Sequence, residues 1–403
     1  MNRIYQIYCR AFQGVFRLAI PLLPYRDPKI LNRVSRIPQE LQARKLQSVL
    51  IVTDRFLHEM GMLDELKRCL SEQNIRYTVY DRTVPNPTVN NVEEARGLYL
   101  HHDCQALIGF GGGSAIDCAK AVGARIARSG KSIPQMRGIL KVMRRIPFLI
   151  AVPTTAGTGS EITLATVITD SDSGHKFPIN DFPLIPRIAV LDAENTKTMP
   201  LSMTSTTGMD ALTHAVEAYI GGSTTKSTRR DALEAVRLIF GNLETAYRES
   251  GNTEARANMM RAAFLAGRAF SKSYVGYVHA VAHSLGGQYG IPHGLANAVL
   301  LPIVLESYGT HAHKKLHELA VAAKVALETD THEAGAKKLI QAIKEMNQRM
   351  NIPKRLTGIR KEDIPQMAEH AAREANPLYP VPVLIDAGEL EQFYIKVADW
   401  SQA

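Results

Sequence analysis

Short apolar runs separated by helical periodicity fill the first half of this chain and vanish from the second, and that asymmetry restricts the fold more than any other feature. Ser48-Val49-Leu50-Ile51-Val52-Thr53-Asp54 reads as a parallel strand buried on both faces and ending in an acid. Residues 56–73 follow as a helix and 76–80 as a second strand. A loop with two prolines, Val84-Pro85-Asn86-Pro87-Thr88, leads into a helix over 92–102. Further strands are expected at 105–110, 148–152 and 183–192, with 193–200 as a link. This alternation predicts a doubly wound α/β domain with a mostly parallel sheet. From 201 onward only helical patterns remain, at 206–220, 229–248, 254–274, 313–327 and 332–350, with another helix opening at 361–365. The second half therefore reads as an all-α domain. The expected boundaries are an N-terminal helical extension over 1–30, an α/β domain over 31–198 and a helical domain over 199–403. A length of 403 residues is enough for two cores.

Directly after the third strand stands Gly111-Gly112-Gly113-Ser114-Ala115-Ile116-Asp117-Cys118-Ala119-Lys120. Glycines let a backbone approach a ligand closely. Ser114 reads as an N-cap and Asp117 as a first-turn acid. Free N–H groups at such a helix start can hold a pyrophosphate, although a glycine triplet can equally be a tight turn. It is not the G-x-G-x-x-G pattern, so that rule does not apply. The strand at 148–152 runs into Pro153-Thr154-Thr155-Ala156-Gly157-Thr158-Gly159-Ser160-Glu161, whose hydroxyls and amides suit a polar ligand. Without context, such a loop is more often only a turn.

The second half carries the metal chemistry. Asp210 and His214 are four apart in a helical pattern, and so are His279 and His283, with His293 shortly after. Positions four apart share a helix face. One carboxylate and several imidazoles can thus converge, as Fe²⁺ or Zn²⁺ requires. A single Asp-x-x-x-His is usually a surface or capping pair. Here, however, no Lys, Arg, Asp or Glu occurs from 274 through 304, and imidazoles buried in apolar surroundings need partners. Spacing alone does not choose between His279 and His283.

Residues 208–219 and 279–302 resemble the two signatures of the iron-containing (group III) alcohol dehydrogenases. The segments Gly-Gly-Gly-Ser-x-x-Asp-x-Ala-Lys at 111–120, Pro-Thr-Thr-x-x-Thr-Gly-Ser-Glu at 153–161 and Pro-x-x-Ala-x-x-Asp at 186–192 extend the resemblance over about residues 35–400. It implies a dehydroquinate synthase-like fold and a metal, Fe²⁺ with Zn²⁺ as the alternative, on Asp210, His214, His279 and His293. His283 then falls beside the substrate, as a proton relay or as a partner that orients a ligand. The implied cofactor contacts are Asp54, Asn86, Gly112, Gly113, Ser114, Thr154, Thr155, Thr158, Thr163 and Lys176, the last within His175-Lys176-Phe177-Pro178-Ile179. Asp54 implies NAD rather than NADP, because an acid there accepts from ribose hydroxyls and repels a 2′-phosphate. It can also cap the following helix, and the two roles are compatible. The implied reaction interconverts an alcohol and its aldehyde or ketone by hydride transfer.

Polyol and glycerol dehydrogenases, a dehydroquinate synthase-like lyase and a non-catalytic assembly subunit are the rival readings. A lyase would need cations on the metal-site helices for a substrate phosphate, and 274–304 has none beyond His. Loss of function is opposed by four filled ligand positions.

The net charge of +9 comes from scattered basic residues, so nucleic acid is not expected as a partner. Four cysteines without C-x-x-C spacing suit a reducing compartment, and the expected location is cytoplasmic. A homo-oligomer is implied by the resemblance alone. In the first 28 residues Arg3, Arg10 and Arg17 recur at intervals of seven beside an apolar face, and Pro21, Pro24 and Pro28 stop the helix. Docking on the protein's own body or on a partner subunit is favoured over contact with a membrane surface.

Overall fold

The protein, a computed structural model that describes residues 1–171 and 176–401, packs as two compact units. One comprises Pro24–Thr198. The other comprises Met199–Ala403 together with Met1–Leu23.

The first unit is built on a six-stranded sheet in the order β1-β9-β6-β4-β2-β3, in which every pairing is parallel. Its strands are β1 (Lys29–Leu31), β2 (Ser48–Val52), β3 (Arg76–Tyr80), β4 (Ala106–Gly111), β6 (Phe148–Pro153) and β9 (Ile188–Val190). Alternate residues of β2 serve different cores. Leu50 and Val52 pack with Leu107 and helices α5 (Val89–His101) and α6 (Gly113–Ala127). Val49 and Ile51 pack with Ile108 and helices α2 (Ile37–Gln42), α3 (Arg55–Glu59) and α4 (Asp64–Glu72). Burial on both faces explains the near-continuous apolar runs, and helices on both faces make the unit doubly wound.

Three local expectations change. The single helix over 56–73 is two, because Gly61 at φ +72° turns the chain between α3 and α4. The strand expected at 183–192 contracts to β9, since Pro183 and Pro186 lack the N–H that a ladder needs. A second, three-stranded sheet, β5 (Gly138–Ile139) on β8 (Lys176–Asn180) on β7 (Ala165–Thr169), escaped the reading: β5 has two residues and β8 contains Pro178.

The second unit is helical, with α7 (Leu201–Ile220) packed against α8 (Lys226–Arg248), α9 (Thr253–Ser273) and α11 (His293–Ser307). From Gly208 to Ile220 every residue of α7 is buried, so its polar groups need internal partners. The remaining helices are α10 (Tyr277–Tyr289), α12 (His313–Ala322), α13 (His332–Arg349), α14 (Ile364–Ala375) and α15 (Ala387–Val397). Helix α1 (Arg3–Ala19) docks on this unit. Cys9 is fully buried, Arg10 donates to the carbonyls of Val381 (2.7 Å) and Pro382 (2.9 Å), and Gln13 donates to that of Tyr379 (2.8 Å). No described helix is long and apolar enough to cross a membrane.

Candidate active site

Four donors converge in the helical unit. Asp210 and His214 sit one turn apart on α7, His279 is on α10, and His293 opens α11. One ligand atom from each lies within 4.8 Å of the others. Asp210 Oδ1 stands 3.4 Å from His293 Nε2 and 3.9 Å from His279 Nε2, and Asp210 Oδ2 stands 3.9 Å from His214 Nδ1. Asp210, His214 and His279 are buried, and His293 is partly exposed.

Glu217 orients this cluster. Its carboxylate accepts from the backbone N–H of Gly276 and Val278, both at 2.8 Å, and lies 2.5 Å from His279 Nδ1. With the Nδ1 proton held there, His279 turns the lone pair of Nε2 toward Asp210. Burial pushes the Glu217 carboxyl up to about 7, against the opposing pull of the N–H groups of Gly276, Val278 and His279. Burial, and then the charges of His214, His293 and His283, hold His279 well below the usual imidazole range. It therefore stays neutral, as a metal ligand must. His214 is clamped flat between Phe270 (4.0 Å) and His279 (4.4 Å).

Asn297, one turn beyond His293, marks where the donors point. Its fully buried Nδ2 donates to Asp210 Oδ1 (2.7 Å) and reaches His293 Nε2 (3.1 Å) and His279 Nε2 (3.3 Å). Its Oδ1 is buried without a partner. Three acceptor lone pairs aimed at one small donor form the electron-rich focus a divalent cation requires. The donor set, three imidazoles and one carboxylate, suits Fe²⁺ or Zn²⁺.

His283 lies outside this set. Its ring stacks on His293 at 5.1 Å, its side chain is 42 % exposed, and its Nδ1 is 2.6 Å from Glu374 Oε1. Tyr379 donates its hydroxyl to the same oxygen at 2.7 Å. Burial would lower the His283 pKa, but the Glu374 charge and hydrogen bond, with Asp210 and Glu217, raise it overall.

In the α/β unit, Asp54, Asn86, the turn Gly112-Gly113-Ser114 and the loop with Thr154, Thr155 and Thr158 follow the C-terminal ends of β2, β3, β4 and β6, whereas Lys176 begins β8. Asp54 follows β2 and its Oδ1 accepts from Leu57 N–H at 2.9 Å, so the capping role is present. Gly113 lies so near the second loop that a Cβ there would stand 2.9 Å from Thr158 Cγ2, and one on Gly112 would stand 3.4 Å from Thr155 Cγ2. Thr154 N–H donates to Gly111 O at 3.0 Å. Asn86, at φ +58°, donates its N–H to Ser114 Oγ at 3.3 Å. Ser114 is thus not the N-cap. Gly112 takes that place, without a side-chain bond, and Asp117 lies beyond the first turn. The first amides of α6 consequently have no side-chain acceptor of their own.

Thr163 is buried, and its Oγ1 accepts from Lys120 Nζ at 3.0 Å. Lys176 begins β8, half-buried, and burial lowers its pKa. The neighbouring His175 lies outside the described residues. Asp117 fastens the second loop and β7, accepting from Ser160 Oγ (2.5 Å) and Val167 N–H (2.9 Å).

Sequence reading passed over Glu217, Asn297 and Glu374. Glu217 and Asn297 were reachable, seven residues after Asp210 and four after His293, on shared helix faces. Glu374 is 91 residues from His283 and had no local signal.

Comparison with known proteins accords with this arrangement. Residues 31–193 match the family described as iron-containing alcohol dehydrogenase, and residues 204–396 match the C-terminal part of the Fe-containing alcohol dehydrogenase family. The 1,3-propanediol dehydrogenase of Klebsiella pneumoniae is 36 % identical over 366 residues, 90 % of this chain and 94 % of that protein. A crystal structure of a 1,3-propanediol oxidoreductase superposes with a TM-score of 0.89 at 34 % identity, covering 93 % of this chain and 99 % of that one. A sulfoacetaldehyde reductase from Bifidobacterium kashiwanohense, solved in complex with NAD+, superposes with a TM-score of 0.82 at 28 % identity, covering 94 % and 99 %. The parallel α/β unit, the helical unit with its Asp/His cluster and these matches over both together show that the chain belongs to the iron-containing alcohol dehydrogenase family.

Proposed function

We propose that the chain is an NAD-linked, iron-dependent dehydrogenase that interconverts a small uncharged alcohol and its aldehyde or ketone. The observation that carries this reading is the convergence of Asp210, His214, His279 and His293 within 4.8 Å. These four residues would hold a divalent ion, which would supply Lewis acidity toward the substrate oxygen, and a nicotinamide cofactor would supply the hydride acceptor or donor.

The chain's own residues set up that chemistry. Asp210 brings the negative charge, and Glu217 fixes the His279 tautomer through Nδ1. His283, with Nδ1 turned to Glu374, keeps Nε2 to take the proton of an alcohol substrate or, in reduction, to give one to the oxygen of a carbonyl substrate as its carbon receives hydride. In the α/β unit the first amides of α6 would hold the cofactor pyrophosphate, and Asp54 the adenosine ribose. NAD is supported by this acid and by the NAD+ complex of the sulfoacetaldehyde reductase. A short substrate is in keeping with the 1,3-propanediol dehydrogenase relative. The absence of Lys and Arg from 274–304 supports an uncharged one.

The proposal includes a cytoplasmic setting, supported by four free, buried thiols. It also includes a homo-oligomer, supported by the outward face of α1, where Ile4, Ile7, Val15 and Leu18 are each at least 70 % exposed.

The test is metal content together with NADH oxidation on a panel of short aldehydes, with and without added Fe²⁺ or Zn²⁺. Metal-dependent turnover that disappears in His279→Ala is expected. Stoichiometric metal and NAD binding with no turnover on any alcohol or aldehyde would overturn the dehydrogenase reading.

A further inference from the structure

The α/β unit contains a pocket of about 370 Å³ that the dehydrogenase chemistry does not use. Arg26, Arg144, Arg145 and Arg187 line it, beside apolar surface from Ile146 and Phe182. It lies at the opposite end of the sheet from the glycine turn. Pro147 and Arg187 immediately precede β6 and β9, whereas Gly112 and Gly113 follow β4. In an all-parallel sheet strand starts and strand ends occupy opposite edges, and the six residues of β6 separate them by about 20 Å.

Positive charge in the pocket is poorly compensated. Among the described residues no ion pair joins Arg26, Arg144, Arg145 or Arg187 to an acid. Arg26 donates to the carbonyl of Ile185, while its Nε is buried without a partner. Burial, and then the neighbouring charges of Arg187 and Arg145, pull the Arg26 guanidinium down to about 10. The one acidic residue in the lining, Asp181, spends Oδ2 on the N–H groups of Val142 (2.9 Å) and Met143 (2.8 Å). Four guanidinium groups against one carboxylate leave three positive charges unmatched.

We propose that this pocket binds a phosphate ester with a small apolar arm, separately from the dinucleotide. Guanidinium forks pair with phosphate oxygens bidentately, and Ile146 and Phe182 offer apolar surface to the rest of the ligand. The volume is that of a small-molecule site, with more room than a bare phosphate fills. A free phosphorylated metabolite and a phospholipid headgroup share this chemistry.

The experiment is calorimetric titration of the full chain with propyl phosphate at constant ionic strength. Binding is compared in the wild type, Arg145→Ala/Arg187→Ala, Arg145→Lys/Arg187→Lys and Gly113→Val. Both arginines are exposed, so the double variants should fold, which circular dichroism checks. One-to-one binding is expected, weakened about tenfold or more in the alanine pair, less in the lysine pair, and retained in Gly113→Val. No binding, equal binding in the alanine pair, or loss confined to Gly113→Val overturns the proposal. A second arm is co-sedimentation with phosphatidylglycerol vesicles against phosphatidylcholine vesicles. Arginine-dependent capture by phosphatidylglycerol assigns a headgroup, and propyl phosphate binding without capture assigns a free metabolite.

Discussion

Glu217 bonds the His279 ring at Nδ1 and so determines which nitrogen of that ring is free. Glu217→Gln removes the charge and leaves an amide in its place, so the His279 ring loses its fixed tautomer. Metal affinity should fall about 10–100-fold, read by competition with a chelator, while the circular dichroism spectrum stays unchanged. Unaltered affinity would reduce Glu217 to a helix-packing residue. Asp54 poses a different residue-scale question, since its Oδ1 caps α3 and its charge is assigned to cofactor choice. Serine caps a helix about as well as aspartate but does not repel a 2′-phosphate. Asp54→Ser should therefore keep the melting temperature and shift the ratio of kcat/KM for NADP over NAD upward, by about tenfold if the lost discrimination is near 1.4 kcal/mol. An unchanged ratio would leave Asp54 as a cap alone.

At the scale of elements, α1 shows what periodicity can and cannot reveal. Its apolar spacing was plain, and two of its faces are in fact apolar. One carries Cys9, Phe16 and Ile20 inward, with Phe16 edge-on to Tyr274 at 5.0 Å. The other carries Ile4, Ile7, Val15 and Leu18 outward. Polar contacts settle which face docks: the N-terminal amine meets Asp386 at 2.5 Å, and Gln13 donates to the carbonyls of Tyr379 and Pro377. Tyr379 in turn holds Glu374, the partner of His283. Gln13→Ala removes the side-chain donor to the Pro377 carbonyl and one of two donors to the Tyr379 carbonyl, which keeps the Val381 N–H, and should cost about 1 kcal/mol of stability. Denaturant unfolding measures it, and a change below about 0.5 kcal/mol would mean that α1 is only loosely held. Elements were legible where they were long. The break before α4 and the short bounds of β9 were not, nor was the two-residue β5, because a glycine, two prolines or sheer brevity interrupted the period.

For the whole molecule, the four thiols give the broadest test. Cys9, Cys69, Cys104 and Cys118 are all free and buried. Burial raises each above the ordinary thiol value of 9.0, Cys118 to about 12. A pKa raised on folding means that the folded chain keeps its proton where the unfolded chain releases it. The stability these groups contribute is therefore complete below pH 9 and is lost as pH rises above it. Buried tyrosines such as Tyr80 and Tyr394 act in the same direction from about pH 10 upward, whereas the lowered lysines Lys120 and Lys315 act oppositely. On going from pH 8 to pH 10 the wild type should lose more, or gain less, denaturant stability than Cys118→Ala, by about 1 kcal/mol, and a colorimetric thiol reagent at pH 8 should find its four targets only after unfolding. Fast labelling of the native chain would contradict the buried placement.

The sequence by itself determined the two-part character of this protein, its parallel sheet, its family and the residue types of its site. Those follow from local regularities: strand alternation with helices, glycines between a strand and a helix, and a carboxylate and imidazoles at helical spacing. Spacing left His279 and His283 open and the family resemblance favoured His279; the tertiary structure brings His279 together with Asp210, His214 and His293, and it alone puts Asn297 at their focus and Glu374 beside His283. The physical reason is distance along the chain. His279 and His283 share one helix with equal claims, and the choice between them falls to Glu217, 62 residues before His279, and Glu374, 91 residues after His283. The four arginines around the second pocket are likewise scattered from Arg26 to Arg187, and only the sheet gathers them. Periodicity reports which face of an element a side chain occupies, and packing between elements decides what that face meets.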